Sequence, residues 1–180
     1  MGIIVVRQEN LPIEPTFNLV TKVFTSLSPL HNELGISLND YRTYLRPSFE
    51  LMVAEGLSVC AIDANNGKLL GSIIITDFYK SCQLSMDDNK VLSPISAITS
   101  ELRNNYKNKR IFQPQEAILF DMAAVLKNSQ NRGIYQKMRS TAQNFAKNSG
   151  FKFVIGELSS GATQSVVLKK LKHKKFHAIP

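Results

Sequence analysis

The chain has 180 residues, of which 43% are hydrophobic and 20% are charged. This composition is typical of a globular protein and excludes disordered and fibrous classes, and the length fits one domain spanning residues 1–180. No apolar run approaches the roughly 18 residues that cross a bilayer, and no signal peptide is apparent, so we expect a cytoplasmic protein without a membrane partner.

The formal net charge of +8 favours anionic partners. The basic residues have few aromatic neighbours and form no nucleic-acid recognition motif, so we do not expect nucleic acid to be among these partners. Two cysteines are too few for a disulfide framework or a metal cluster, and we therefore expect no metal.

The first half of the chain predicts one strand, two helices and a β-hairpin. These elements are, in chain order, a strand at 3–7, a helix at 15–27, a loop at 28–30, a helix from its N-cap Ser37 to about Gly56, and strands at 57–64 and 68–77. Apolar residues recur every three or four positions in the helices, whereas the strands lack this spacing. Pro47 should kink or divide the second helix. Asn65, Asn66 and Gly67 supply the positive-φ residues of a tight hairpin.

The second half predicts a helical insert followed by alternating strands and helices. These elements are, in chain order, an insert at 80–115 whose helix begins after Ser93 as cap, a strand at 117–126, a helix at 134–147 that Gly150 ends, a strand at 151–158 and a last helix at 161–175. The insert helix carries Ile95, Ile98, Leu102 and Tyr106 on one face. Strand 117–126 has apolar residues on both faces, which indicates a central position in the sheet. The whole pattern predicts a mixed α/β domain.

The stretch from Val125 to Tyr135 carries the clearest functional signal. A buried strand stops at Val125, and a helix begins near Gly133 or Ile134 after a polar loop. The free N–H groups and the dipole of such a helix start attract a diphosphate, and a glycine lets ligand oxygens approach the backbone. A single glycine in a polar loop is also compatible with an ordinary strand-to-helix turn.

The spacing of Gln130 and Gly133 resembles motif A of the GNAT superfamily of acyl-CoA N-acyltransferases, which reads Gln or Arg, two residues, Gly, one residue, Gly or Ala. Tyr135 stands where the family usually has Gly or Ala, so its side chain is expected to point away from the diphosphate or to stack beside it. The order of elements resembles the family over nearly the whole chain. The helical insert and the Pro29–Leu30 turn are similar to the arylalkylamine and dopamine N-acetyltransferase-like branch.

The resemblance implies a fold, a reaction and a set of binding residues. The fold is α/β (α+β), with a mixed, mostly antiparallel central sheet flanked by helices and a helical insert between the third and fourth strands. An acetyl or short acyl group would pass directly from coenzyme A to a primary amine of a small molecule, without a metal. The residues expected to bind acetyl-CoA, or another short acyl-CoA, are Ala123, Ala124, Val125, Gln130, Asn131, Arg132, Gly133, Ile134 and Tyr135. A homodimer is compatible with these features.

The catalytic base implied by the resemblance is absent from its usual position. The branch resembles Glu-Pro-Leu at its first loop, where this chain has Ser28 before Pro29. We expect Asp121 to take the role, because it shares strand parity with Val125 and would lie beside the cleft. Glu157 is a further candidate. Asp121 could instead cap a neighbouring loop.

The acid that protonates the departing thiolate is also missing from its usual position. Many relatives use a tyrosine of the last helix, where this chain has Leu168. Ser165 is the hydroxyl that we expect to substitute, with Thr163 and His173 as alternatives. An alternative function is therefore a catalytically weak or inactive acyl-CoA-binding protein with a regulatory role. Relatives of this branch continue for a further strand or two beyond the position of Ile179, so the C-terminus is expected to be short.

Overall fold

The computed structural model describes residues 2–82 and 92–179, and residues 83–91 of the predicted insert lie outside them. Within the described residues a five-stranded sheet forms the centre, with its strands in sequence order. The strands are β1 (Ile3–Arg7), β2 (Val59–Asp63), β3 (Leu69–Asp77), β4 (Ala117–Val125) and β5 (Phe153–Gly156). Neighbouring strands are antiparallel except for the parallel pair β4 and β5. The mixed, mostly antiparallel sheet expected from the sequence is confirmed.

Helices flank both faces of this sheet. Their bounds are α1 (Ile13–Leu27), α2 (Pro29–Glu33), α3 (Leu38–Ala54), α4 (Phe78–Ser81), α5 (Ser93–Lys107), α6 (Ile134–Asn148) and α7 (Gly161–Gln164). The short helix α2 replaces the loop predicted at 28–30, because Pro29 at its first turn has a suitable φ and needs no N–H partner. Pro47 lies inside α3 without dividing it. Ser93 is the first residue of α5 rather than its cap.

The core lies on both faces of the sheet. Ile73 and Ile74 of β3 are both 0% exposed, although neighbouring side chains of a strand point to opposite faces. Ile74 packs in the cluster formed by α1 and α3, whereas Ile73 packs with Met138 of α6. Helix α6 is therefore fixed against the face opposite to α1 and α3, and this arrangement determines where α6 begins relative to the end of β4.

The last predicted helix is shorter than expected. Helix α7 continues into a π-helical stretch, Ser165–Lys170, and the helical structure ends there rather than at residue 175. Lys172 has a left-handed φ of +57°. The following residues run beside α5, where Phe176 stacks on Tyr106 with ring centroids 4.3 Å apart. In the described part of the chain, no helix has both the length and the apolar character needed to cross a membrane.

Candidate active site

Strands β4 and β5 separate after Phe120. Their parallel pairing begins with Ala117 opposite Phe153 and ends with Phe120 opposite Gly156. Strand β4 continues to Val125 with β3 on its other side. The open edge of β4 beyond Phe120 therefore faces a groove instead of another strand, and we call it the β4–β5 groove.

Asp121 lies at an irregularity of β4. Ile74 of β3 pairs with Met122, but the next residue, Ile75, pairs with Phe120, so Asp121 is an extra residue in this register. Such a bulge bends the strand and changes the direction of its side chains. Phe120 and Val125 consequently pack in the same cluster although they are five residues apart. The strand-parity argument for Asp121 assumed an uninterrupted strand and so did not include this bulge, although Asp121 and Val125 do line the same groove.

Arg103 of α5 bridges two carboxylates where β4 and β5 separate. Its Nε donates to Glu157 Oε1 at 2.8 Å, and its Nη2 lies 3.6 Å from Asp121 Oδ2. Burial raises the pKa of Asp121 and that of Glu157, and the Arg103 cation opposes both shifts. One guanidinium can balance only one of the two carboxylate charges. A second cation, such as the ammonium form of an amine, would balance the other.

The start of α6 is open to the β4–β5 groove. Gly133 is the N-cap residue with a left-handed φ of +71°, and no side chain among the described residues caps the helix. A Cβ added to Gly133 would meet no atom of residues 2–82 or 92–179 within 4 Å. The first-turn amides and the positive end of the helix dipole therefore face free space, which suits an anionic group. The predicted helix start is confirmed.

The β4–β5 groove has a volume of about 610 Å³ and extends from the start of α6 to Asp121. Seven of the expected cofactor residues line it: Ala123, Val125, Gln130, Asn131, Gly133, Ile134 and Tyr135. Ala124 and Arg132 do not line it. The Leu126 N–H donates to Leu70 O of β3, and because backbone direction alternates along a strand, Ala124 also faces β3.

Two side chains of the predicted motif turn back onto the protein. Gln130 Nε2 donates to the carbonyl of Val125 at 3.2 Å and so holds the loop against the end of β4. Tyr135 Oη accepts a hydrogen bond from Arg139 Nη1 at 3.1 Å, one turn further along α6. The Tyr135 ring therefore extends along the helix, away from the amides at its start.

A second cavity, also of about 610 Å³, lies between α5, the α1–α3 layer and the segment 173–179. We call it the α5 cavity. Its apolar and aromatic lining includes Phe24, Tyr41, Tyr44, Ile95, Ile98, Leu102 and Tyr106. The predicted apolar face of α5 thus lines a cavity, and no described residue of this helix is fully buried. Asp121 and Glu157 line both the groove and the α5 cavity, so they stand at the junction of the two.

Sequence reasoning missed His31, which lines the α5 cavity. The ring is 4% exposed, its Nδ1 lies 3.0 Å from Ser28 Oγ, and its Nε2 has no hydrogen-bond partner among the described residues. Burial lowers the pKa of His31, which keeps the ring neutral near pH 7. The sequence signal for this contact was the three-residue spacing between Ser28 and His31. This spacing places the two side chains on one face if residues 29–33 form a helix.

The candidate proton donors for the thiolate differ in position. Ser165 lines neither the groove nor the α5 cavity, whereas Thr163 lines the groove and His173 lines the α5 cavity. Arg103 and Arg139, neither of which was selected from the sequence, lie at the junction. Arg103 pairs there with both carboxylates, and Arg139 lines both cavities.

Comparison with solved structures finds a similar architecture in a condensation domain and in acetyltransferases. The C-terminal condensation domain of Ebony, solved in complex with β-alanyl-dopamine, superposes with a TM-score of 0.81 at 16% identity, covering 97% of this chain and 83% of its own. Arylalkylamine N-acetyltransferase 2 from Aedes aegypti superposes with a TM-score of 0.70 at 12% identity, and the match covers 93% of this chain and 81% of that protein's chain. An aminoglycoside N-acetyltransferase in complex with coenzyme A superposes with a TM-score of 0.56 at 12% identity, and the match covers 99% of this chain and 91% of that protein's chain.

No family model matches the sequence, and no curated protein sequence matches it. The structural likenesses are at low sequence identity and therefore concern the fold. They agree with the five-stranded mixed sheet flanked by helices described above. The chain has the fold of the GNAT acetyltransferases, with structures of the arylalkylamine N-acetyltransferase type among those that it resembles.

Proposed function

We propose that the protein is an acyl-CoA-dependent N-acyltransferase that moves an acetyl or short acyl group from coenzyme A to a primary amine of a small molecule. The observation that carries this proposal is a path from the uncapped start of α6, along the β4–β5 groove, to the carboxylates Asp121 and Glu157. The start of α6 suits the anionic diphosphate of coenzyme A, and the two carboxylates suit the cationic form of the amine. The open edge of β4 joins these two ends.

The residues of the groove fit coenzyme A. The first-turn amides of α6 together with Asn131 and Gly133 would hold the diphosphate, and Lys170 on the groove wall adds a positive charge. The backbone of Ala123 and Val125 would pair with the amides of the pantetheine arm, as a neighbouring strand would. When bound, acyl-CoA supplies a thioester carbon that an amine can attack.

Asp121 is the proposed base. An amine with a pKa near 10.4 is neutral in only about one molecule in a thousand at pH 7. Asp121, assisted by Glu157, binds the ammonium form and takes one of its protons, which frees the nitrogen lone pair. An N–H on the open edge of β4 stabilises the negative charge that develops on the thioester oxygen.

The transfer is complete when the new C–N bond has formed and the C–S bond has broken. The nitrogen loses a second proton in this step, and the departing sulfur requires one. We assign the transfer of this proton from the nitrogen to the sulfur to the hydroxyl of Thr163 rather than to that of Ser165, because Thr163 lines the groove and Ser165 does not.

The acceptor is proposed to be an amine that carries an apolar or aromatic group. The lining of the α5 cavity includes the aromatic rings of Phe24, Tyr41, Tyr44, Tyr106 and Phe176. Such a wall stabilises an apolar group, while the carboxylates at the junction receive the amine. The arylalkylamine N-acetyltransferases among the structural neighbours support this class of acceptor.

Two measurements test the proposal together. Calorimetry should detect coenzyme A binding, and incubation with acetyl-CoA and a panel of amines, including arylalkylamines, should release free thiol for at least one amine. Tyramine and a matched phenol without the amine separate true transfer from hydrolysis. Failure to bind coenzyme A, combined with no thiol release for any amine, would contradict the proposed function.

A further inference from the structure

Arg139 of α6 is a buried cation, and no described residue gives it a carboxylate partner. Its side chain is 1% exposed, and its guanidinium lies 4.2 Å from the centre of the Phe120 ring. Its Nη1 donates to Tyr135 Oη, whereas Nε has no hydrogen-bond partner in the described part of the chain. None of the ion pairs within residues 2–82 and 92–179 includes Arg139.

Keeping an unpaired guanidinium away from water is unfavourable, and burial accordingly lowers the pKa of Arg139. The chain nevertheless provides a specific space for it. A Cβ on Gly156, the last residue of β5, would lie 3.1 Å from Arg139 Nη2. The glycine therefore admits the guanidinium at the point where β4 and β5 separate.

The position of Arg139 differs from that of the diphosphate site. Arg139 follows Gly133 by six residues, which corresponds to about 9 Å along a helix axis. It packs on Phe120, the residue before Asp121, and it lines both the β4–β5 groove and the α5 cavity. An anion bound here would therefore lie at the junction, beside the reacting groups.

The edge of the guanidinium that is not engaged by Tyr135 determines which anion fits best. Nη1 is engaged by Tyr135, and Nε and Nη2 form the remaining side of the planar fork. Two parallel N–H groups on such an edge match the two oxygens of a carboxylate. A neutral acetyl group or a simple amine has no group that could compensate this charge.

We propose that Arg139 is a carboxylate-binding residue, and that one of the two reactants carries a carboxylate that pairs with its Nε and Nη2. This inference rests on the proposed function and specifies the chemical class of its reactants. The carboxylate has two sources that share this chemistry. It belongs either to a dicarboxylic acyl group, such as succinyl, or to an acceptor of the amino-acid type.

Two matched pairs of ligands test the inference and distinguish the sources. Calorimetry compares the dissociation constants of succinyl-CoA and acetyl-CoA, and a thiol-release assay compares tyrosine with tyramine, which differ in one carboxylate. We expect the carboxylate-bearing member of one pair to be favoured at least tenfold. Arg139→Gln should bring that pair to parity, and Arg139→Lys, which keeps the charge but not the fork, should retain part of the preference.

The control is Arg46→Gln. Arg46 also lies over a phenylalanine ring, 3.7 Å from the centre of Phe17, but it pairs with Glu14 outside both cavities. This variant should keep the full preference, which excludes a general effect of net charge. Equal affinities and equal rates in both pairs for the unmodified protein would overturn the Arg139 inference while leaving the transferase proposal intact. Loss of coenzyme A binding and of all thiol release would instead contradict the transferase proposal.

Discussion

Arg103 Nε donates a hydrogen bond to Glu157 Oε1 at 2.8 Å and thereby joins the inserted helix α5 to the chain just after β5. The same guanidinium lies 3.6 Å from Asp121 at the bulge of β4. One side chain of the insert therefore influences both carboxylates at the separation of the two strands. Since α5 also lines the α5 cavity, a single element supplies the proposed acceptor wall and the charge that controls the proposed base.

The proposed base predicts that Asp121→Asn lowers kcat/KM by about 10²- to 10⁴-fold, because the amide cannot take a proton from the acceptor. Coenzyme A binding should persist.

The same variant, Asp121→Asn, tests the effect of burial on stability. Because burial raises the pKa of Asp121, the folded state favours the protonated form more than the unfolded state does, and the ionised side chain therefore costs stability at pH 7. The melting temperature of the variant should therefore be equal or higher at pH 7, and this gain should shrink in acid. Exposed Asp40→Asn is the control, and full activity in Asp121→Asn would exclude Asp121 as the base.

The effect of Arg103 on the two carboxylates predicts that its removal changes the pH profile of the reaction. Burial raises the pKa of Asp121 and of Glu157, and Arg103 counteracts both shifts. In Arg103→Met the counteracting cation is lost, so both pKa values rise further and the acidic limb of the kcat/KM profile should move to higher pH. Arg110→Gln removes an exposed arginine that follows α5 and pairs with Glu116 at 2.5 Å, and its profile should not move. An acidic limb that stays in place in Arg103→Met would show that neither carboxylate is the titrating base.

Much of the fold follows from local patterns in the sequence. The β-branched run at residues 3–7 forms β1, and the periodic apolar residues of α1, α3, α5 and α6 form helices close to their predicted bounds. The polar loop after Val125 and the left-handed Gly133 were also predictable, because both depend on residues adjacent in the chain. Such features need no knowledge of distant contacts.

The centre of the site was less predictable because it depends on pairing between distant segments. The bulge at Asp121 exists only relative to the register of β3, so strand alternation alone does not determine the direction of its side chain. Arg103 and Glu157 are 54 residues apart in sequence. His31 required the helix α2, which local rules predicted as a loop. In each case a tertiary contact decides what the local sequence leaves undetermined.

The α5 cavity predicts that Ile98→Ala weakens acceptor binding. Ile98 belongs to the apolar face of α5 that lines this cavity, and removal of its outer carbons should raise the KM of an aromatic amine about fivefold to tenfold. The dissociation constant of coenzyme A should not change, since Ile98 does not line the β4–β5 groove. Ile111→Ala is a matched control, because Ile111 follows α5 and is 81% exposed. An unchanged KM in Ile98→Ala would place the acceptor elsewhere.

The start of α6 allows a paired glycine experiment. Gly133 and Gly67 have left-handed φ values of +71° and +69°, and an added Cβ meets no described atom within 4 Å at either position. Alanine should therefore cost about 1–2 kcal/mol of folding free energy at both sites from backbone strain alone. Gly133→Ala should also weaken coenzyme A binding by about tenfold, because its Cβ projects where phosphate oxygens approach the backbone. Gly67→Ala, in the β2–β3 hairpin, should bind normally. Thermal unfolding and calorimetry on both variants separate strain from ligand contact, and equal affinities would mean that no phosphate lies against Gly133.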